Sequence, residues 1–207
     1  MAEAAAVILA GGRGERLGGV VKANIVVGGV RLIDRVLGAV IGAEPVLVAS
    51  GAFSDEELAL PFGVVAVPDS EDMGGPRAGL AAAARWLGRQ SEHPPFLLSV
   101  AVDTPFFPAG FLAAALERIE GADAVVARFA GQEYPTDTLW RLETIAPLIA
   151  QPGSLKRLFP TIRTVRLDWD ELAAENPFAN ANTAEELAAL RARAEAHFGV
   201  GKGGQNG

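Results

Sequence analysis

The segment Ala5-Ala6-Val7-Ile8-Leu9-Ala10-Gly11-Gly12-Arg13-Gly14-Glu15-Arg16-Leu17-Gly18-Gly19-Val20-Val21-Lys22 passes from an apolar run straight into a loop carrying five glycines, two arginines and a lysine. Residues 4 to 10 read as a central parallel strand buried on both faces. The loop therefore sits at the carboxyl end of a strand, where open α/β sheets bind their ligands. Glycines let backbone N–H groups approach an anion closely, and Arg13, Arg16 and Lys22 add positive charge. The segment is thus a candidate phosphate cradle, with a plain surface turn as the alternative. It matches neither familiar phosphate loop. Leu17 stands where the dinucleotide fingerprint needs its third glycine, and no Gly-Lys-Ser/Thr follows at P-loop spacing.

Composition narrows the chemistry. The chain has 207 residues, half of them hydrophobic, which predicts one domain with a sizeable core. There is no cysteine, and the histidines are His93 and His197. Disulfides, thiolate catalysis and cysteine zinc sites are excluded, and a metal would be a hard cation on carboxylates. A net charge of -7 argues against broad nucleic-acid binding. The longest apolar runs are strand-sized, well short of the ~20 residues that span a bilayer, so a cytoplasmic location with no membrane partner is expected.

Outward from the loop, helical and strand patterns alternate. Residues 22–29 look extended and end in a Gly-Gly turn, and Leu32 to Ile41 has helical spacing. Strands are expected at 45–49, 63–67, 95–102, 124–129 and 163–167, the last as an edge strand. Helices are expected from Asp55, at 77–88, from Phe111 to Ile119, at 145–150 and from Thr183 to about His197. Leu80, Ala84 and Leu87 should face inward. The result is a single three-layer Rossmann-like α/β domain with a mostly parallel sheet, covering residues 1–198, and a disordered tail at 199–207.

Two acids stand at strand ends. Asp69 follows the strand at 63–67, just before the turn at Gly74-Gly75-Pro76. A carboxylate there can accept two neighbouring N–H groups of one ligand together, or simply cap the next helix. Asp103 ends the apolar strand at 95–102, a costly place for a charge without a partner. Magnesium is the natural partner, and capping the helix near Pro108 is the alternative. Asn180 and Asn182 alternate on an extended segment, so both amides can address one ligand. Thr183 and Glu186 form a capping box.

Together these segments resemble the molybdenum cofactor guanylyltransferases. Leu9 to Lys22 is similar to their L-A-G-G-x-x-x-R-M-G-G-x-D-K loop, and Asp69 to Leu80 to D-x(5-6)-G-P-L-A-G-[ML]. Asp103-Thr104-Pro105 matches their D-T-P metal motif, Tyr134 to Leu139 resembles H-P-T-x-A-L, and Phe178 to Leu187 resembles F-x-N-x-N-T-P-E-E-L. The resemblance implies a nucleotide-diphospho-sugar transferase type fold and magnesium-dependent transfer of GMP from GTP to molybdopterin, releasing pyrophosphate. It implies nucleotide contacts at Leu9, Ala10, Gly11, Gly12, Lys22, Asp69, Gly75 and Asp103. Lys22, Arg16 and Asp103 would carry catalysis, with magnesium on Asp103. The acceptor would meet Asn180, Asn182, Lys156 and Arg157, the last two on a short helix capped by Ser154. A monomer or weak oligomer, in transient contact with other molybdenum cofactor proteins or target enzymes, is expected.

Three positions depart from the pattern: Val21 replaces the acid before the lysine, Ala49 an asparagine after the second strand, and Tyr134 a histidine. They leave open two alternatives. One is transfer from CTP or another nucleotide to a different phosphorylated acceptor; the other is a non-catalytic nucleotide- or pterin-binding homologue.

Overall fold

The structure is a computed structural model that describes residues 3–12, 19–69, 73–150 and 153–199. The opening apolar run is β1 (Ala4–Leu9), an interior strand, third from one edge of a seven-stranded sheet. On one side it pairs in parallel with β4 (Val46–Ala49), which pairs with β5 (Val64–Val67). On the other side lies β6 (Phe96–Ala101), also parallel. The sheet continues through β8 (Gln132–Arg141) and β7 (Ala124–Phe129) to the edge strand β9 (Thr164–Asp168). β8 is antiparallel to both β6 and β7, so it runs against the other six strands.

Alternation along β1 explains why its sequence is apolar throughout. Ala4, Ala6 and Ile8 enter a core cluster with Val36 of α1 (Leu32–Ala39) and Phe111 of α4 (Phe111–Leu116). Ala5 and Val7 enter a second cluster with Leu80 and Leu87 of α3 (Pro76–Leu87) and Ile145 of α5 (Leu142–Ile149). Successive side chains leave opposite faces of a strand, so a strand covered on both faces needs no polar position. The layers are helix, sheet and helix, as the alternating pattern predicts.

A short hairpin of β2 (Val26–Val27) and β3 (Val30–Arg31) stands apart from the main sheet. The final helix α6 (Ala184–Gly199) packs on it, through a cluster of Val27 and Leu32 with Leu187, Leu190 and Ala194. This contact brings α6 back against the segment that follows Lys22.

Several local expectations are corrected. Residues 22–24 are a 3-10 turn rather than extended, because the Val21 and Lys22 carbonyls accept from Asn24 and Ile25 N–H. The helix at 111 stops at Leu116, and α5 starts at Leu142. Asp103 does not cap α4: its N-cap is Gly110, with no side-chain bond. Ser154 likewise makes no capping bond to the 3-10 turn Leu155–Arg157. Ser54, by contrast, forms a full capping box with Glu57 on α2 (Asp55–Leu58). The expected tail falls almost wholly outside the described residues.

Candidate active site

The carboxyl ends of β1, β4, β5 and β6 surround a cavity of about 410 Å³. Leu9, Gly11, Gly12, Lys22, Asp69, Gly75, Asp103, Asn180 and Asn182 line it, so nine of the positions singled out from sequence share one space. Ala10 does not: its side chain is in the core, and its N–H donates to the Ala49 carbonyl at 2.9 Å. Arg16, with most of the arginine-bearing loop, lies outside the described residues. Lys156 lines a separate cavity of about 350 Å³ with Arg128 and Glu133, and Arg157, although exposed, lines neither. The two proposed acceptor cations are therefore not gathered with the asparagines.

At one end of the main cavity the strand tips are packed too closely for side chains. A Cβ on Gly11 would lie 2.7 Å from Asp69 Oδ2, and one on Gly51 would lie 2.8 Å from Gly11 Cα. Gly79 faces Ala49 in the same way, where an added Cβ would come within 2.6 Å of the Ala49 Cβ. Asp69 is held in this gap by the Gly51 N–H, and burial raises its pKa above the ordinary carboxylate range against that bond. Its Oδ1 is buried and has no hydrogen-bond partner among the described residues. An orphaned acceptor beside a cavity is satisfied by a ligand that brings a donor.

The other end is built around a cation. Lys22 Nζ donates to Asp103 Oδ2 at 2.7 Å and to Asn182 Oδ1 at 2.8 Å. These groups are 81 and 160 residues from the lysine in sequence and come from three separate segments. Asp103 is fixed by its backbone as well, because its carbonyl accepts from Ala181 N–H at 3.1 Å. The Asn182 and Thr183 N–H groups both donate to Glu186, and Glu186 N–H donates to Thr183 Oγ1, so the capping box forms. One capping device thus starts α6 and orients an amide toward the cavity.

Tyr134 lies behind this end, its ring 5.1 Å from Phe178 and its hydroxyl accepting from Asn176 Nδ2 at 2.7 Å. Val21 packs partly buried against the main core, so an apolar contact occupies the position before the lysine. Thr136, Ala101, Val102 and Pro76 also line the cavity and were not singled out as site residues. Pro76 and Thr136 lie inside the segments compared with D-x(5-6)-G-P-L-A-G-[ML] and H-P-T-x-A-L, whereas Ala101 and Val102 had no signal but their place at a strand tip.

The MobA-like NTP transferase domain model matches residues 6–198, nearly the whole chain. The chain belongs to this family. It is similar to the molybdenum cofactor guanylyltransferase of Rhizobium meliloti, 34% identical over 203 residues with 88% of each chain covered. The molybdenum cofactor guanylyltransferase of Rhodobacter capsulatus is 35% identical, with 89% of this chain and 93% of the relative covered. Among solved structures, molybdopterin-guanine dinucleotide biosynthesis protein A from Archaeoglobus fulgidus superposes with a TM-score of 0.73 at 18% identity, covering 92% of this chain and 98% of that one. The MobA-like chain is a nucleotidyltransferase of the nucleotide-diphospho-sugar transferase fold. Among its described residues no helix is long and apolar enough to cross a membrane.

Proposed function

We propose that this nucleotidyltransferase moves GMP from GTP to the phosphate of molybdopterin or its molybdenum form, releasing pyrophosphate. The observation that carries the reading is the pairing of an orphaned Asp69 oxygen at one end of a cavity with the Lys22–Asp103–Asn182 cluster at the other. Guanine presents two adjacent N–H donors, which suit a carboxylate whose second oxygen has no partner. Gly11 and Gly12 leave backbone room for the phosphates between the two ends.

The residues fit a magnesium ion. Asp103 Oδ2 and Asn182 Oδ1 already converge on one cationic centre, the Lys22 ammonium. Among the described residues no group of three or more His, Cys, Asp or Glu side chains could hold a metal. Magnesium asks for less, since it commonly binds one or two carboxylates and completes its shell with substrate phosphates and water. When bound, the metal would neutralise phosphate charge and polarise the α-phosphoryl group.

The chain's own residues do the rest. The acceptor's phosphate oxygen attacks the α-phosphorus in line, a new P–O bond forms, and the bond to the β-phosphate oxygen breaks with its electron pair leaving on pyrophosphate. Lys22, whose ammonium stands in the cavity between Asp103 and Asn182, is placed to offset that growing negative charge. Asn180 and Asn182 both line the cavity, where their amides would address the acceptor.

Pyrophosphate release measured with GTP, CTP, ATP and UTP, each with and without molybdopterin, tests the proposal. Release with GTP that depends on acceptor and magnesium is expected. Preference for CTP would replace the guanine reading of Asp69, and nucleotide binding without any release would support a non-catalytic homologue.

A further inference from the structure

Asp137 has no part in the site as described, yet it is wholly buried. It lies where β8 departs from regular pairing. The β6–β8 ladder ends at Ser99 opposite Thr138, and the β7–β8 register jumps from Thr138 to Tyr134, so residues 135–137 bulge out of β8. Thr138 Oγ1 closes the bulge on the Pro135 carbonyl at 3.1 Å. With the ladder interrupted, Ala101 N–H donates instead to Asp137 Oδ1 at 3.0 Å.

Ala101 is the last residue of β6, two before Asp103, and it lines the cavity. Its carbonyl accepts from Thr104 Oγ1 at 2.7 Å, which folds the Asp103 turn back on the strand. The Asp137 carboxyl and the Thr104 hydroxyl therefore grip the two sides of one peptide residue from which the Asp103 turn springs. Asp137 Oδ2 has no hydrogen-bond partner among the described residues. Burying a carboxyl is costly, and the hydrogen bond from Ala101, with a lesser one from the Thr136 side chain, offsets part of that cost.

We propose that Asp137 is a positioning residue for the metal centre: by accepting the Ala101 N–H across the β8 bulge it fixes the turn that aims Asp103 at the cavity. The inference rests on Asp103 as the metal ligand. Partners that orient a metal ligand typically change metal affinity by ~10- to 100-fold when removed, while leaving the ligand itself in place.

Binding of Mn2+ to the full chain without nucleotide, which would itself chelate the ion, followed by loss of the free-ion EPR signal, tests this in wild type, Asp103→Asn, Asp137→Ala, Asp137→Leu and Asp137→Asn. Circular dichroism serves as the control for folding, and the leucine keeps the site filled should the alanine variant unfold. Asp103→Asn should abolish binding. The Ala and Leu variants should bind ~10-fold more weakly or worse, and raise the metal concentration needed for half-maximal turnover more than they lower kcat. Asp137→Asn keeps an acceptor oxygen for Ala101 and should restore affinity to about that of wild type. Wild-type affinity in the Ala and Leu variants, or a folded Asn variant as weak as they are, overturns the proposal while leaving Asp103 as the ligand. Unaltered binding by Asp103→Asn overturns the metal reading itself.

Discussion

Lys22 makes two charge-assisted bonds at one end of the cavity, to Asp103 and Asn182, and it is the residue whose loss should be felt most. Lys22→Ala and Asp103→Asn are each expected to lower pyrophosphate release by at least ~100-fold, the scale seen when a single group that stabilises transition-state charge is removed. Steady-state assays at saturating GTP and magnesium would show this, and near-wild-type turnover in either variant would refute the assignment. Asp69→Asn should act differently, because it replaces an acceptor oxygen with a donor but leaves the phosphate end intact. Its expected signature is a ~10- to 100-fold higher KM for GTP with weakened selectivity over other nucleotides, since an unpaired polar edge is what discriminates most strongly. An unchanged KM would take Asp69 out of base recognition.

At the scale of the element, the site depends on how closely strand tips and helix starts approach. Gly79, in the first turns of α3, faces the Ala49 side chain at the tip of β4 with no room for a methyl group. Gly79→Ala should destabilise the fold by about 1–3 kcal/mol, as overpacking of a filled interior does, read as a lower midpoint in urea unfolding. The residue pattern around the turn held the glycine in view, but its cause is a contact 30 residues distant in sequence that periodicity cannot reveal. The 3-10 turn at Lys22 is similar: its hydrogen bonds join residues only three apart, too short a span for a periodic signal. The capping box at Thr183, a purely local device, was legible in full. Thr183→Ala should cost about 1 kcal/mol of stability and, by loosening Asn182, weaken acceptor binding.

For the whole molecule, pH should act through two buried acids in opposite directions. Asp123 is held down to about 2 by Arg163, whose guanidinium and backbone N–H both donate to it. With an unfolded value near 3.8, its contribution is present above that pH and is lost as pH falls toward 2. Asp137 is pushed up to about 8, first by burial, with repulsion from Asp103 adding to it and bonds from Ala101 and Thr136 opposing. Here the unfolded chain gives up its proton first, so stability declines as pH rises from about 4 to 8. Thermal melts across pH 2 to 9 should therefore show losses on both sides, and Asp137→Asn should flatten the alkaline limb. An alkaline limb as steep in that variant as in wild type would remove Asp137 as its source.

The sequence by itself determined the layered fold, because strands buried on both faces must be apolar along their length and the helices between them must show a 3.6-residue stripe. It also determined the short-range devices, the glycine loop and the caps, and it carried the motifs that mark Lys22, Asp69, Asp103 and Asn182. Tertiary structure alone decided which of these meet. Lys22, Asp103 and Asn182 converge because β1 and β6 are neighbours in the sheet and α6 returns to the β2–β3 hairpin. The same topology leaves Lys156 and Arg157 outside that cavity and brings the carboxyl of Asp137, a position without local signal, beneath the Asp103 turn. Strand order and register are long-range facts set by packing across the whole sheet, and no window of local sequence contains them. The glycine loop of Ala5 to Lys22 supplies a cation and open backbone, and the neighbouring strands make it a site.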